Sequence, residues 1–137
     1  MIVDSAVWID LMSRRRGRAW PVLRRALDER SRVYIVAAIL QEVVQGARDA
    51  RELEALKGSM TGVPHLAVAS GIAASLAAAE LYARCRWAGL TIRSPVDCLI
   101  AATAIEHGEP ILTEDHDFTA IRSVEPRLAL IDVPLTD

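Results

Sequence analysis

Four carboxylates in this chain sit where a strand gives way to a helix, and their chemistry poses the first question. Asp4 follows the apolar, strand-favouring Met1-Ile2-Val3 and precedes the helical pattern of Ala6 to Met12. Asp115 follows Pro110-Ile111-Leu112-Thr113, and Asp97 heads a run without charge as far as Glu106. Glu42 lies about one turn into the helix after a β-branched stretch, Arg32 to Val36. In a parallel sheet all strand C-termini share one edge, where the following helices begin, so these acids can converge. Taken singly, Asp4, Asp97 and Asp115 could simply cap helices, and Glu42 could face solvent. Gathered at the edge of a dry core, they would repel one another and hold their protons unless a cation lay among them. Carboxylates without His or Cys partners suit a hard, partly hydrated ion, Mg²⁺ or Mn²⁺ rather than Zn²⁺. The hydroxyls of Ser5 and Thr113 could orient waters on that ion. Such a site suits phosphodiester hydrolysis by metal-activated water, with the cation offsetting the charge that builds on the phosphate.

The elements that must position these acids follow from periodicity and punctuation. A basic turn, Ser13 to Gly17, leads to a helix over Arg18 to Arg30, with Val22, Leu23, Ala26 and Leu27 as its inward residues. Arg32 to Val36 reads as a second strand and residues 37–46 as a helix, with Gly46 either its C-cap or a gap for a close approach. An amphipathic helix over Asp49 to Met60 follows, then a break at Gly62 to Leu66 with room for a very short strand. Ser70 to Trp87 is an Ala-rich helix closed by Gly89. Ser94 is placed to cap the next helix, with Pro95 at its first and Asp97 at its third position. Apolar on every face, that helix belongs in the centre. Ile111 to Thr113 reads as a buried strand, Glu114 to Phe118 as a turn into a short helix, and Arg127 to Val133 as a last strand. Strands alternating with helices over short loops predict an α/β fold with a parallel sheet and right-handed crossovers. No linker or repeat divides the chain, so residues 1–137 are expected to form a single domain.

The 137 residues are 52% hydrophobic but only 4% aromatic, so aliphatic side chains must fill the core. A net charge of −2 argues against wholesale capture of nucleic acid, but the charge is polarised. Eight arginines between Arg14 and Arg32 outweigh Asp28 and Glu29 by +6, whereas nine acids from Asp97 onward outweigh Arg122 and Arg127 by −7. Cys85 and Cys98 lack metal-ligand spacing and read as buried thiols of a reducing cytoplasm. No secretory leader or membrane span is legible.

Four stretches together resemble PIN-domain nucleases: Met1 to Ile9, Glu42 with Gly46, Pro95 to Ala104, and Ile111 to Phe118. Their order and the chain length are similar to those of VapC-like toxins of prokaryotic toxin–antitoxin pairs. The resemblance implies a three-layer α/β/α fold whose mainly parallel sheet has about four to five strands flanked by helices. It also implies a Mg²⁺- or Mn²⁺-dependent endoribonuclease, usually a homodimer, silenced by a VapB-like antitoxin whose C-terminal segment lies across the site. Carried onto this chain, it makes Asp4, Asp97 and Asp115 the main metal ligands, with Glu42 binding through water or holding a second ion. Asp117 either joins the site or caps the Phe118 helix, and a secondary role is expected of it; His116 is left as a surface turn residue. Arg14, Arg15, Arg16 and Arg18, with Arg24 and Arg25, form a candidate patch for the RNA backbone. Arg93 could hold an RNA phosphate or pair with Asp97, while Trp8, Trp20 and Trp87 are expected as core or interface anchors. Two rivals remain: a PIN scaffold that only binds, and a receiver-like Mg²⁺-binding signalling domain, which would need a lysine near its acids where this chain has only Lys57.

Overall fold

In the computed structural model, which describes residues 1–133, strand β1 (Ile2–Val3) pairs in parallel with β2 (Ile111–Leu112). Single parallel bridges extend this pair on both sides: Tyr34 to Ile2, His65 to Ile35, and Leu130 to Ile111. The backbone bonds continue across them, Tyr34 N–H donating to Met1 O at 2.9 Å and Ile111 N–H to Ala129 O at 3.0 Å. Five segments therefore run parallel, with β1 and β2 in the middle. Regular pairing is shorter than the β-branched patterns suggest. The stretch expected over Arg32 to Val36 bridges only at Tyr34 and Ile35, and that over Arg127 to Val133 only at Leu130. β1 and β2 are buried on both faces, which explains why they read as continuous apolar runs rather than as alternation.

Seven helices connect and cover these segments: α1 (Ser5–Met12), α2 (Trp20–Asp28), α3 (Ala37–Gln45), α4 (Ala50–Thr61), α5 (Gly71–Trp87), α6 (Pro95–His107) and α7 (His116–Val124). Helix starts follow the expected chemistry, since the Asp49 and Ser70 side chains accept from the Glu52 and Ala73 N–H groups. Ser94 occupies the N-cap of α6 without a side-chain bond, and Gly108 ends that helix in the left-handed region at φ 63°. As its composition predicts, α6 is the central helix: Asp97, Cys98 and Ile100 to Ala104 are buried, and it packs against α5, α7 and α3.

One expectation fails for a local reason, and several open alternatives resolve. Leu27 is 39% exposed, because Leu23 and Ala26 already fill the buried stripe of α2. Gly46 is the C-cap of α3 and opens no gap, since a Cβ there would meet only carbonyl oxygens at 3.5 and 4.0 Å. Trp8 is core and Trp20 half-buried under the Arg16 guanidinium, 5.1 Å from its ring centre, while Trp87, 77% exposed, lies outside the core. Both cysteines are free and buried. Among the described residues no helix is long and apolar enough to cross a membrane.

Ile111 pairs on both sides and is fully buried. Ile111→Ala is therefore expected to remove about 2–5 kcal/mol of stability, read from urea unfolding as a lower midpoint at unchanged m-value.

Candidate metal centre

The C-terminal ends of β1 and β2 open onto the N-termini of α1, α6 and α7, and the acids collect there. Asp4, 4% exposed, is both N-cap and tether. Its Oδ1 accepts from the Ser5 N–H at 2.8 Å and its Oδ2 from the Thr113 hydroxyl at 2.9 Å. Thr113 Oγ1 in turn accepts from the Asp115 N–H at 2.9 Å, so one hydroxyl joins the ends of the two strands. Ser5 Oγ donates to Glu42 Oε2 at 2.7 Å and fixes that half-buried carboxylate from α3 beside α1. Both hydroxyls thus orient carboxylates.

Asp97 lies at the third position of α6, only 6% exposed, and its Oδ2 is buried without a hydrogen-bond partner. Asp115 caps α7, its Oδ1 accepting from the Asp117 N–H at 2.9 Å. Asp117 is buried, and its oxygens accept from the Arg93 N–H at 3.2 and 3.0 Å and the Ser94 N–H at 3.0 Å, stitching α7 to the start of α6. One oxygen each of Asp97, Asp115 and Asp117 falls within 4.8 Å of the others. Asp117, for which a secondary role was expected, therefore stands in one group with Asp97 and Asp115. The signal was available: two acids at i and i+2 between a buried strand and an apolar helix.

Electrostatics show the strain of this gathering. Burial first, then the adjacent Asp117 carboxyl, then the charges of Asp4, Asp115 and Asp117 push the Asp97 carboxyl up to about 8. Asp4 is also raised, chiefly by burial and further by Asp115 and Glu42, although its bonds to Thr113 and Ser5 pull the other way. Three helix N-termini compensate part of the negative charge. The donor set is all oxygen, and an orphaned buried carboxylate oxygen lies within it; both features fit a hard divalent cation.

The basic residues surround this centre unevenly. Arg14, Arg15 and Arg16 are exposed on the loop before α2, Arg14 with a positive φ of 60°. Arg18 is clasped by Glu114, whose Oε1 accepts from the Arg18 N–H at 2.9 Å and from its Nε at 3.3 Å. That clasp, which sequence reasoning missed, brings the basic loop against the residue next to Asp115. Arg24 pairs with Asp28 on the exposed face of α2. The Arg93 side chain is exposed and makes no ion pair among the described residues, so the expected alternative of a pair with Asp97 is not realised. His116 is an exposed first residue of α7, as expected of a turn position, and Phe118 is core.

Residues 1–124 of this parallel-sheet fold, with its aspartates at the C-terminal edge, match the PIN domain family. The chain belongs to that family. More narrowly, it is 35% identical over 125 residues to Ribonuclease VapC11 of Mycobacterium tuberculosis, a match covering 90% of this chain and 92% of that one. Solved structures of similar fold include FitAcB from Neisseria gonorrhoeae, at TM-score 0.67, 19% identity and 96% coverage of both chains. Another is a toxin–antitoxin complex from Klebsiella pneumoniae, at TM-score 0.66 and 16% identity over 96% of this chain and 95% of that one.

Because folding raises the Asp97 pKa from 3.8 to about 8, the metal-free protein holds a proton that the unfolded chain releases within that window. Its stability must then fall as pH climbs through the window, the reverse of the usual aspartate case. Melting in EDTA is expected to drop on the order of 5 °C between pH 5.5 and 8. Asp97→Asn should flatten that slope, and Mn²⁺ should stabilise the wild type most at the alkaline end. A profile that rises with pH in EDTA would contradict the assignment.

Proposed function

We propose that this chain is the toxin of a toxin–antitoxin pair and acts as a Mg²⁺- or Mn²⁺-dependent endoribonuclease. The observation that carries the reading is the buried, unpartnered Asp97 Oδ2 among the carboxylates of Asp115 and Asp117. Asp4, Asp97 and Asp115 are proposed as the main ligands, with Asp117 joining them and Glu42 binding through water or holding a second ion. When bound, a divalent ion neutralises charge on the phosphodiester and lowers the pKa of the attacking water. The chain's own part is to hold the acids still. Thr113 fixes Asp4 and the backbone at Asp115, Ser5 fixes Glu42, and the Arg93 and Ser94 N–H groups fix Asp117. Attack by water would leave 5′-phosphate and 3′-hydroxyl ends. Arg14, Arg15, Arg16, Arg18 and Arg93 are proposed to meet the RNA backbone.

The ribonuclease VapC11 name of the relative supports RNA as substrate, and the toxin–antitoxin complex among the structural neighbours supports a VapB-like partner. A homodimer and a cytoplasmic location belong to the same proposal, the latter supported by two buried free thiols. α7 packs against α5 and α6, and Leu130 bridges Ile111 of β2, which supports one domain over the described residues. A receiver-like domain is not favoured, since Lys57 pairs with Glu54 on the exposed side of α4. Nor is a scaffold without catalysis, because its acids would be buried against one another to no purpose.

Purified protein should cut labelled total RNA with Mg²⁺ or Mn²⁺ and not with EDTA. Asp4→Asn and Asp97→Asn should each slow cleavage on the order of 100-fold or more, and Thr113→Val about 10–100-fold. Cleavage that persists in EDTA would overturn the reading.

A further inference from the structure

Beside Asp115 the surface opens into a cleft of about 170 Å³ whose α7 residues have no part in the proposed roles. Thr113 and Asp115 form the wall it shares with the acid centre, and Arg18 enters from the basic loop. α7 adds a stripe of donors to the lining: His116, Thr119 and Arg122. These recur at every third position, so they follow one side of the helix for about 9 Å. All three are exposed, and Arg122 enters no ion pair among the described residues, whereas Arg18 is already clasped by Glu114. Asp132 and Glu114 also line the cleft. Arg122 is thus the guanidinium left to meet an incoming anion, and Thr119 adds a hydroxyl donor one turn away.

We propose that this cleft is a subsite for a phosphate of the RNA strand next to the one being cut, with Arg122 its principal contact and Thr119 and His116 its positioning partners. The proposal rests on the ribonuclease reading and extends it. Continuity favours RNA over an acidic protein segment: an occupant of the cleft touches Asp115 and Thr113 directly, as the neighbouring nucleotide of a strand held at the acid centre must. The acidic residues on the rim have a consequence too. With Asp115 and Asp132 facing it, the cleft takes an anion only while a divalent cation offsets the acids beside it. Arg122 therefore acts in binding and not in the bond-breaking step.

The test compares wild type with Arg122→Ala, Arg122→Lys and Thr119→Ala. One readout is cleavage of a single-stranded RNA in Mn²⁺; the other is the affinity for a fluorescein-labelled phosphorothioate RNA oligonucleotide, read by anisotropy across a salt series. Arg122→Ala is expected to raise KM and Kd about 5–20-fold at low salt with kcat within about twofold, and to flatten the log–log salt slope by roughly 0.7. Arg122→Lys should recover most of the affinity, and Thr119→Ala should lose about 2–5-fold. Mn²⁺-dependent melting should match wild type in all three, which separates a lost contact from a damaged fold. If Arg122→Ala keeps wild-type KM, Kd and slope while wild type cuts RNA, the subsite is overturned and the ribonuclease reading stands. If Arg122→Ala changes only inhibition by the antitoxin, the cleft belongs to the protein partner and the proposal also falls. Wild type that neither binds nor cuts RNA overturns both readings.

Discussion

Carboxylates repel one another most where water is scarce, and this chain sets several of them at the dry end of a parallel sheet. Asp4, Asp97 and Asp117 are all buried there, with Asp115 and Glu42 close enough to raise their neighbours' pKa values. A protein built only for stability would place apolar residues at these sites, since unpaired buried charge is costly. The surrounding structure reads as a set of devices that make the crowding tolerable. Three helix N-termini point at it, two hydroxyls donate into it, and the backbone N–H groups of Ser5, Arg93, Ser94 and Asp117 donate to its carboxylate oxygens. Those contacts leave one oxygen of Asp97 without a partner, and that residual imbalance is what a cation would relieve.

The fold makes the gathering possible through one property, parallel pairing. Because β1 and β2 run the same way, Asp4 and Thr113 leave the sheet at the same edge and meet through a 2.9 Å hydrogen bond although they are distant in sequence. The apolar α6 fills the space behind them and delivers Asp97 from the core side, while Asp117 reaches back to the α6 start through backbone donors. Preorganisation of this kind keeps the acids in place before any ligand arrives, at the expense of stability near neutral pH. The basic loop completes the asymmetry. Glu114 holds Arg18 beside the acids, so positive and negative surfaces adjoin at the place where a polyanion would be handled.

Much of this could be read from residue order. Apolar runs ending in acids located β1 and β2, and the uncharged stretch after Asp97 marked α6 as central, because a long helix without a polar face has nowhere else to go. The helix bounds followed from Ser70, Pro95, Gly89 and Gly108. What escaped was set by tertiary context. Whether Arg32 to Val36 forms a long strand or touches its neighbour at one point depends on sheet twist and packing, which β-propensity does not encode. Leu27 looked inward because it is apolar, yet the stripe was already occupied by Leu23 and Ala26. Asp117 stayed ambiguous because capping and ligation demand the same residue at the same place, and its burial between the Arg93 N–H and the other acids is set by tertiary packing. Which carboxylates Ser5 and Thr113 hold was illegible for a related reason: a hydroxyl near a carboxylate serves water or carboxylate equally well until geometry decides. The match to the PIN family over residues 1–124 agrees with what the acid order implied.

The central claim is that the Asp97, Asp115 and Asp117 oxygens form a divalent-cation site. Crystals of the protein soaked in Mn²⁺ and measured near the manganese edge would test it without relying on activity. An anomalous peak is expected among these three carboxylates, at roughly 2.0–2.2 Å from the oxygens that bind it, with Asp97 Oδ2 now coordinated. An anomalous map with no peak at that position, or with manganese bound only at surface acids elsewhere, would contradict it.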